Sequence, residues 1–400
     1  MSKLAFKRFT LACAVFGLAV AALPAGAQNY NSCLGQLRSE AAEKGVSTRT
    51  FDRAMRGVEP DLSIFDLMNN QPEFKTPVWD YLGSLVDEER IEDGRAAIRS
   101  WSRALASAES RYRVDRYAIA GVWGVESNFG KNLGKRPLLQ SLSTLACYQN
   151  RRQKYFRGEF MATMQIIERG DIDPSRLTGS WAGAFGQTQF MPSTFLRLAV
   201  DMDGDGRRDI VDSVPDALGS TANFLKKAGW VEGLPWGYEV SLPRGFDSKL
   251  AGRKKKKPLS SWASMGVTRV DGRPLSGNFQ AGILIPAGIN GPAFVVTKNF
   301  DAVYSYNASE AYGLAIAILG DRLKGLPGIR APWPTDDPPL SRAERRELQR
   351  LLNARGLDVG EPDGMVGSKT REAIKQVEKA LGMPQRGRPG AKVLNALRGR

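Results

Sequence analysis

The chain has 400 residues, with 57 Lys and Arg against 42 Asp and Glu, a formal net charge of +15 and no histidine. The missing imidazole excludes Ser/His/Asp and Cys/His nucleophile systems and histidine-based zinc sites. No glycine-rich phosphate loop follows a strand signal either, so chemistry falls to carboxylates, amides, hydroxyls or a hard cation.

Lys3, Lys7 and Arg8 precede an apolar run from Phe9 to Leu23, and Ala25-Gly26-Ala27 supplies small residues for cleavage. Residues 1–27 are read as a secretory signal peptide. The run is short for a membrane span and no later stretch reaches ~18 apolar residues, so a soluble mature protein without stable membrane insertion is expected. Cys13, preceded by Thr10-Leu11-Ala12, makes a poor lipoprotein signal, which points to release into the periplasm without lipidation. Cleavage removes three basic residues and no acids, taking the net charge to +12. A basic, exported chain makes nucleic acid the least favoured partner and an anionic polymer of the cell envelope the best fit. Cys33 and Cys147 remain as an even pair in an oxidising compartment, so a disulfide is expected; two buried free thiols are the alternative.

From Ser32 to about Ala108 the pattern is of short helices, one from Ile91 to Leu105, broken by Pro60, Pro72 and Pro77. Trp79 and Tyr81 could line a sugar groove, although core packing is the commoner role. Asp115 is a fitting N-cap for the next helix. There Ile119, Val122 and Trp123 fall at i, i+3 and i+4, and Glu126 takes the i+7 place on the same stripe. Asn128 and Gly130 read as the helix end. Partial burial and the negative end of the helix dipole both disfavour ionisation, which suits a general acid for glycosidic cleavage.

Leu138 to Cys147 reads as a buried helix. The stretch Ser180 to Thr194, with Gly183, Gly186, Gln187 and Gln189, offers close backbone approach and neutral hydrogen bonds to a polyhydroxylated ligand. A helix from Ser193 to Val200 leads into Asp201, Asp203, Asp205, Arg207, Asp209 and Asp212, the spacing of one EF-hand loop with Gly206 at position six. A structural calcium ion is the expected occupant. Ser213 with Asp216 resembles a capping box for the exiting helix. Arg253 to Lys257 is read as a solvated basic loop. Asp271-Gly272 and Asn290-Gly291 are hairpin signals, the second flanked by the runs 281–285 and 294–297, so a small antiparallel sheet interrupts a mainly helical domain. Tyr304, Tyr306, Asn307 and Tyr312 lead into an apolar helix from Ala311 to Leu323.

Residues 326–338 are a proline-rich linker. The remainder, 339–400, carries three helical patterns: Ser341 and Glu344 as a capping box before Leu348, Leu351 and Leu352; then Ala373, Ile374, Val377 and Leu381; then Val393, Leu394 and Leu397.

Gly124-Val125-Glu126-Ser127-Asn128-Phe129-Gly130, Lys135-Arg136-Pro137-Leu138, the Ser180 to Ser193 stretch, the single EF-hand loop and Tyr306-Asn307 with Tyr312 occur in one order. In these motifs the chain resembles the lytic murein transglycosylase B family, in its soluble periplasmic form, and the C-terminal segment resembles a peptidoglycan-binding domain. That segment matches its turn at Asp363-Gly364, Gly367 and Thr370 and departs from it at Gln376-Val377, where a Phe-Gln pair is usual.

The resemblance implies an α+β, mainly α fold: a lysozyme-like catalytic core (28–325) with a helical extension, a small β region and the EF-hand loop, and a separate three-helix module. It also implies a carbon–oxygen lyase that cleaves the MurNAc-GlcNAc bond of peptidoglycan without water, leaving 1,6-anhydro ends. Glu126 would act as acid and then base, which removes the need for a second carboxylate. Ser127, Asn128, Ser180, Gln189, Phe190, Tyr306, Asn307 and Tyr312 would contact glycan. A monomer with calcium and no organic cofactor is expected. A hydrolytic muramidase, drawing a second acid from Asp173 or the loop aspartates, and a non-catalytic murein-binding scaffold are the competing readings.

Overall fold

The protein, described here by a computed structural model, is defined over residues 25–68, 76–148 and 151–399. Most of the expected signal peptide, and Pro72, lie outside the described residues.

Two helical layers make up the main body of the chain. One joins α1 (Ala25–Glu43), α2 (Thr48–Ala54) and α3 (Ile64–Met68) to α8 (Leu138–Tyr148) and α9 (Gln153–Arg169) around Leu37, Phe51, Leu142, Phe156 and Phe160. Side chains of this size contribute about 2 kcal/mol each when fully buried. The Cys33–Cys147 disulfide ties α1 to α8, across 114 residues of chain. The second layer contains α4 (Val78–Leu85), α5 (Glu88–Ser100), α6 (Ser102–Tyr112) and α7 (Arg116–Ser127). The single helix expected from Ile91 to Leu105 is two. Trp101 leaves helical dihedrals (φ −110°, ψ 24°), and the bend lets Ile91 and Leu105 both reach the core around α7.

Helices α10 (Pro192–Leu198) and α11 (Val214–Lys227) flank the acidic loop. A five-stranded antiparallel sheet follows, from β3 (Gly237–Ser241), β4 (Lys257–Pro258), β5 (Thr268–Arg269), β6 (Gln280–Leu284) and β7 (Ala293–Val296), in the order β4-β6-β7-β3-β5. A two-stranded pair, β1 (Arg136–Pro137) with β2 (Thr178–Gly179), lies outside it. Alternate residues of β7 serve different cores: Phe294 and Val296 face Phe300 and Leu314, whereas Ala293 and Val295 face Trp262. Both faces are therefore covered, by α12 (Leu259–Ser264) on one side and by α13 (Lys298–Tyr304) with α14 (Glu310–Leu323) on the other.

The basic run is not simply solvated. Arg253 and Lys256 both pair with Asp301, at 2.7 and 2.6 Å, and the Arg253 guanidinium lies 3.7 Å from the centre of the Tyr304 ring.

The linker is pinned where the Glu239 carboxylate accepts the N–H groups of Arg330 and Ala331, both at 2.8 Å. Beyond it α15 (Arg342–Asn353), α16 (Ser368–Ala380) and α17 (Ala391–Leu397) close on Leu348, Leu352, Ile374 and Leu394, with the Ser341–Glu344 capping box formed. Leu381 ends α16 as its C-cap and is exposed.

Candidate active site

Helix α7 starts at Asp115, whose carboxylate accepts the Tyr117 N–H at 2.7 Å. Ile119, Val122 and Trp123 are buried, and Glu126 is half-buried at the end of the same stripe. The helix stops because Asn128 (φ 50°) and Phe129 (φ 59°) both enter the left-handed region. Five non-glycine residues among those described have positive φ, and four of them, Asn128, Phe129, Gln189 and Ala308, lie in the stretches singled out for the site. Such dihedrals cost of order 1 kcal/mol each and persist where packing over-determines them.

Helix α14 runs antiparallel to α7 at very close range. A Cβ on Gly121 would lie 2.6 Å from the Ile316 carbonyl oxygen, and one on Gly320 would lie 2.9 Å from that of Tyr117. Only glycine at both crossings allows this approach. It sets Tyr312, which is 3% exposed, against Glu126, and the Tyr312 hydroxyl donates to Glu126 Oε1. Burial first, and the Glu126 charge second, push the Tyr312 hydroxyl well above its ordinary value of 10. Tyr312 is therefore a donor across the physiological range. The Tyr306 ring lies 6.3 Å from that of Tyr312, 4.4 Å from Phe224 and 5.8 Å from Phe190, and its hydroxyl donates to Thr188 O at 2.8 Å.

The glycine-rich stretch is tied to the same place. Trp123 Nε1 donates to Gln187 Oε1 at 2.9 Å, while Gln187 Nε2 donates to Val211 O at 3.1 Å, so one buried amide joins the Glu126 helix to the acidic loop. Nothing in the sequence distinguished Gln187 from the neighbouring amides; its role follows from burial. Gln189 Nε2 is held by the carbonyls of Leu133 and Gly186, and Ser180 Oγ accepts the Ala184 N–H. Asn128 is half-buried, with its Oδ1 buried and without a hydrogen-bond partner, and Asn307 is exposed.

Two of the expected glycan contacts are placed differently. Ser127 is 1% exposed, and its hydroxyl bridges Trp123 O and the Gly130 N–H, so it shapes the turn. Phe190, also 1% exposed, is core beneath Tyr306. Asp173, weighed as a second acid, caps a short helical turn through Ser175.

In the acidic loop, one carboxylate oxygen each of Asp201, Asp203 and Asp205 lie within 4.8 Å of one another. Asp209 and Asp212 do not join that cluster. One Asp209 oxygen accepts the N–H groups of Val211 and Asp212, and Asp212 pairs with Arg176. Arg207 turns its side chain toward Asp205 and Asp209, leaving its carbonyl as the donor for the seventh position. Ser213 caps α11, but the Asp216 carboxylate does not return the bond. It accepts the N–H groups of Met202, Asp203 and Asp209 instead, and burial pushes it up to about 6. Asp216, in the first turn of α11, therefore holds the loop backbone from outside the twelve-residue pattern.

A half-buried carboxylate at a helix end, held by a buried tyrosine beside an amide-rich loop, is an arrangement suited to acid-catalysed cleavage of a glycan. The transglycosylase SLT domain family matches residues 29–321, so the chain belongs to that family, and a putative peptidoglycan-binding domain matches residues 341–397. More particularly, it is a peptidoglycan lytic transglycosylase of the B group, an enzyme of cell-wall remodelling. The membrane-bound lytic murein transglycosylase B of Escherichia coli is 33% identical over 273 residues, which cover 64% of this chain and 73% of that protein. SltB3 of Pseudomonas aeruginosa, solved in complex with NAG-anhNAM-pentapeptide, is 45% identical with a TM-score of 0.75, over 93% of this chain and 100% of that one. The Escherichia coli transglycosylase SLT35, solved in complex with calcium, is 29% identical with a TM-score of 0.64, over 74% and 92% of the two chains.

Proposed function

We propose that Glu126 is the single acid/base of a non-hydrolytic cleavage. Its carboxyl group protonates the oxygen bridging MurNAc and GlcNAc. The resulting carboxylate then takes the proton from the C6 hydroxyl of the same MurNAc, whose oxygen closes on C1 to give the 1,6-anhydro end. The observation that carries this reading is the hydrogen bond from Tyr312 to Glu126: a donor that keeps its own proton orients the carboxylate and stabilises it between the two transfers. The aspartates available as a second acid are engaged in caps, loop hydrogen bonds and ion pairs, which disfavours the muramidase reading. Asn128, Ser180, Gln189, Tyr306 and Asn307 supply neutral contacts to glycan on this reading.

Asp201, Asp203 and Asp205, with the Arg207 carbonyl, form an all-oxygen donor set suited to calcium, which would rigidify the loop that Gln187 joins to the Glu126 helix. Residues 28–325 then act as the catalytic domain, 326–338 as the linker and 339–400 as the murein-binding module of an exported, periplasmic enzyme. Among the described residues no helix is long and apolar enough to cross a membrane.

The mass of the products released from murein sacculi tests the reaction. Anhydro-muropeptides are expected, lost by roughly a thousandfold in Glu126→Gln while sacculus binding persists. Reducing ends alone would overturn the lyase reading, and unchanged cleavage by the variant would remove Glu126 from the mechanism.

A further inference from the structure

A cavity of about 310 Å³ lies on the far part of α14 from Glu126, lined by Ile318 and Asp321 rather than Tyr312. Asp321 is nine residues beyond Tyr312, roughly 13 Å along the helix. Strands β3 and β7 and the hairpin after β5 complete the walls, and the first linker residues, from Leu326 to Arg330, close one side. The catalytic reading uses none of these groups.

The floor is aromatic. Trp236 and Phe294 have their ring centres 6.2 Å apart, and Tyr238 presents its ring to Arg269, whose guanidinium carbon lies 4.2 Å from the ring centre. The Tyr238 hydroxyl is buried, and the Arg269 side chain is the polar group that interacts with it. The acids of the cavity are already engaged. Glu239 holds the linker N–H groups, Asp271 is paired with Arg273, and Asp321 accepts the Trp236 indole N–H at 3.0 Å. Burial further pushes Asp321 up to about 6. Of the lining cations, Arg273 is paired with Asp271, whereas Arg269 touches Asp271 only through its charge and neither Arg269 nor Arg330 makes an ion pair among the described residues. The cavity therefore offers two guanidinium groups and one buried hydroxyl over an aromatic floor. It is at the small end of ligand-pocket sizes, fit for one or two amino-acid residues and too small for a glycan chain. A guanidinium fork matches a carboxylate in two parallel hydrogen bonds.

We propose that this cavity binds the carboxylate end of a short peptide, with Arg269 and Arg330 on the carboxylate and Trp236 and Tyr238 against the aliphatic atoms. The peptidoglycan reading enters only as the source of such a peptide, the stem carried by the glycan strand. The site would then hold a stem at a point separate from the bond that Glu126 breaks.

Calorimetric titration of the full chain with a free pentapeptide, and with the same pentapeptide as its C-terminal amide, tests this. The acid should bind at one saturable site. The amide, and the acid on Arg269→Gln or Arg330→Gln, should each bind about tenfold or more weakly. Cleavage of peptide-free glycan strands by both variants should match the parent, which separates failure of this site from failure of the catalytic reading or of the fold. Three outcomes overturn the proposal: no saturable binding at millimolar peptide, equal binding of acid and amide, or unchanged binding by both arginine variants. Competition by acetate as effective as by the peptide would reduce the cavity to a simple anion site and overturn it equally.

Discussion

At Glu126 the decisive neighbour is a tyrosine nearly two hundred positions away in the chain. Tyr312→Phe keeps the packed ring and deletes one hydrogen bond to the carboxylate. A charge-assisted bond is worth about 1.5–3 kcal/mol, so turnover should fall roughly ten- to a hundredfold, with little change in melting temperature. Equal turnover by the variant and the parent would remove Tyr312 from the mechanism. A second residue carries a pH signature. Asp321 is pushed from 3.8 up to about 6, chiefly by desolvation. The native state therefore holds this proton more tightly than the unfolded chain does. The group's contribution is most favourable at pH below the unfolded value and is lost as pH rises toward 6. Asp321→Asn should flatten the stability–pH profile in that window and raise stability at pH 7 by about 2 kcal/mol, read from urea midpoints.

Among the elements, the acidic loop and the α7–α14 crossing control the site by different means. Gly121 and Gly320 fix the helix separation sterically, whereas Gln187 transmits the loop position through two hydrogen bonds. If the loop binds calcium only when folded, millimolar metal should raise the melting temperature. Saturation a hundredfold above the dissociation constant corresponds to about 2.7 kcal/mol. Asp201→Asn together with Asp203→Asn should abolish the shift, and a shift of equal size in that variant would argue against the site. Asp212→Asn should leave most of the shift in place, because Asp212 faces Arg176.

For the whole molecule, the C-terminal module is docked against the catalytic core rather than hung from it. Arg388 forks onto both oxygens of Asp80 at 2.6 Å and also pairs with Asp337; Arg346 pairs with Glu89 at 2.6 Å; Arg345 reaches Gly83 O at 3.4 Å. The side chains of Arg388 and Asp80 are 15% and 9% exposed. Arg388→Ala would leave Asp80 buried and without that pair, a change that typically costs about 3–5 kcal/mol. Module release is the expected relief, seen as a larger radius of gyration in solution scattering and faster proteolysis of the 326–338 linker. Identical scattering from parent and variant would show that the docking does not depend on this cluster.

Much of the candidate site was legible in the sequence where function writes a local pattern. The stripe ending in Glu126, the alternating aspartates, the capping box at Ser341 and the absence of histidine are all set within a few residues of chain. The pairing of Cys33 with Cys147 was the expectation, with two free thiols as the alternative, and the structure joins them. Other features depended on packing between distant segments. Ser127 and Phe190 look like ligand contacts until burial assigns them to the turn and the core. Asp216 reads as a cap until the fold surrounds it with three backbone N–H groups. Arg253 and Lys256 look solvated until Asp301 is brought to them. Chain-local chemistry was therefore determined by the sequence itself. Which side chain meets which carboxylate, and whether a polar group faces water or core, was decided only by the tertiary structure, because those energies depend on neighbours remote in sequence.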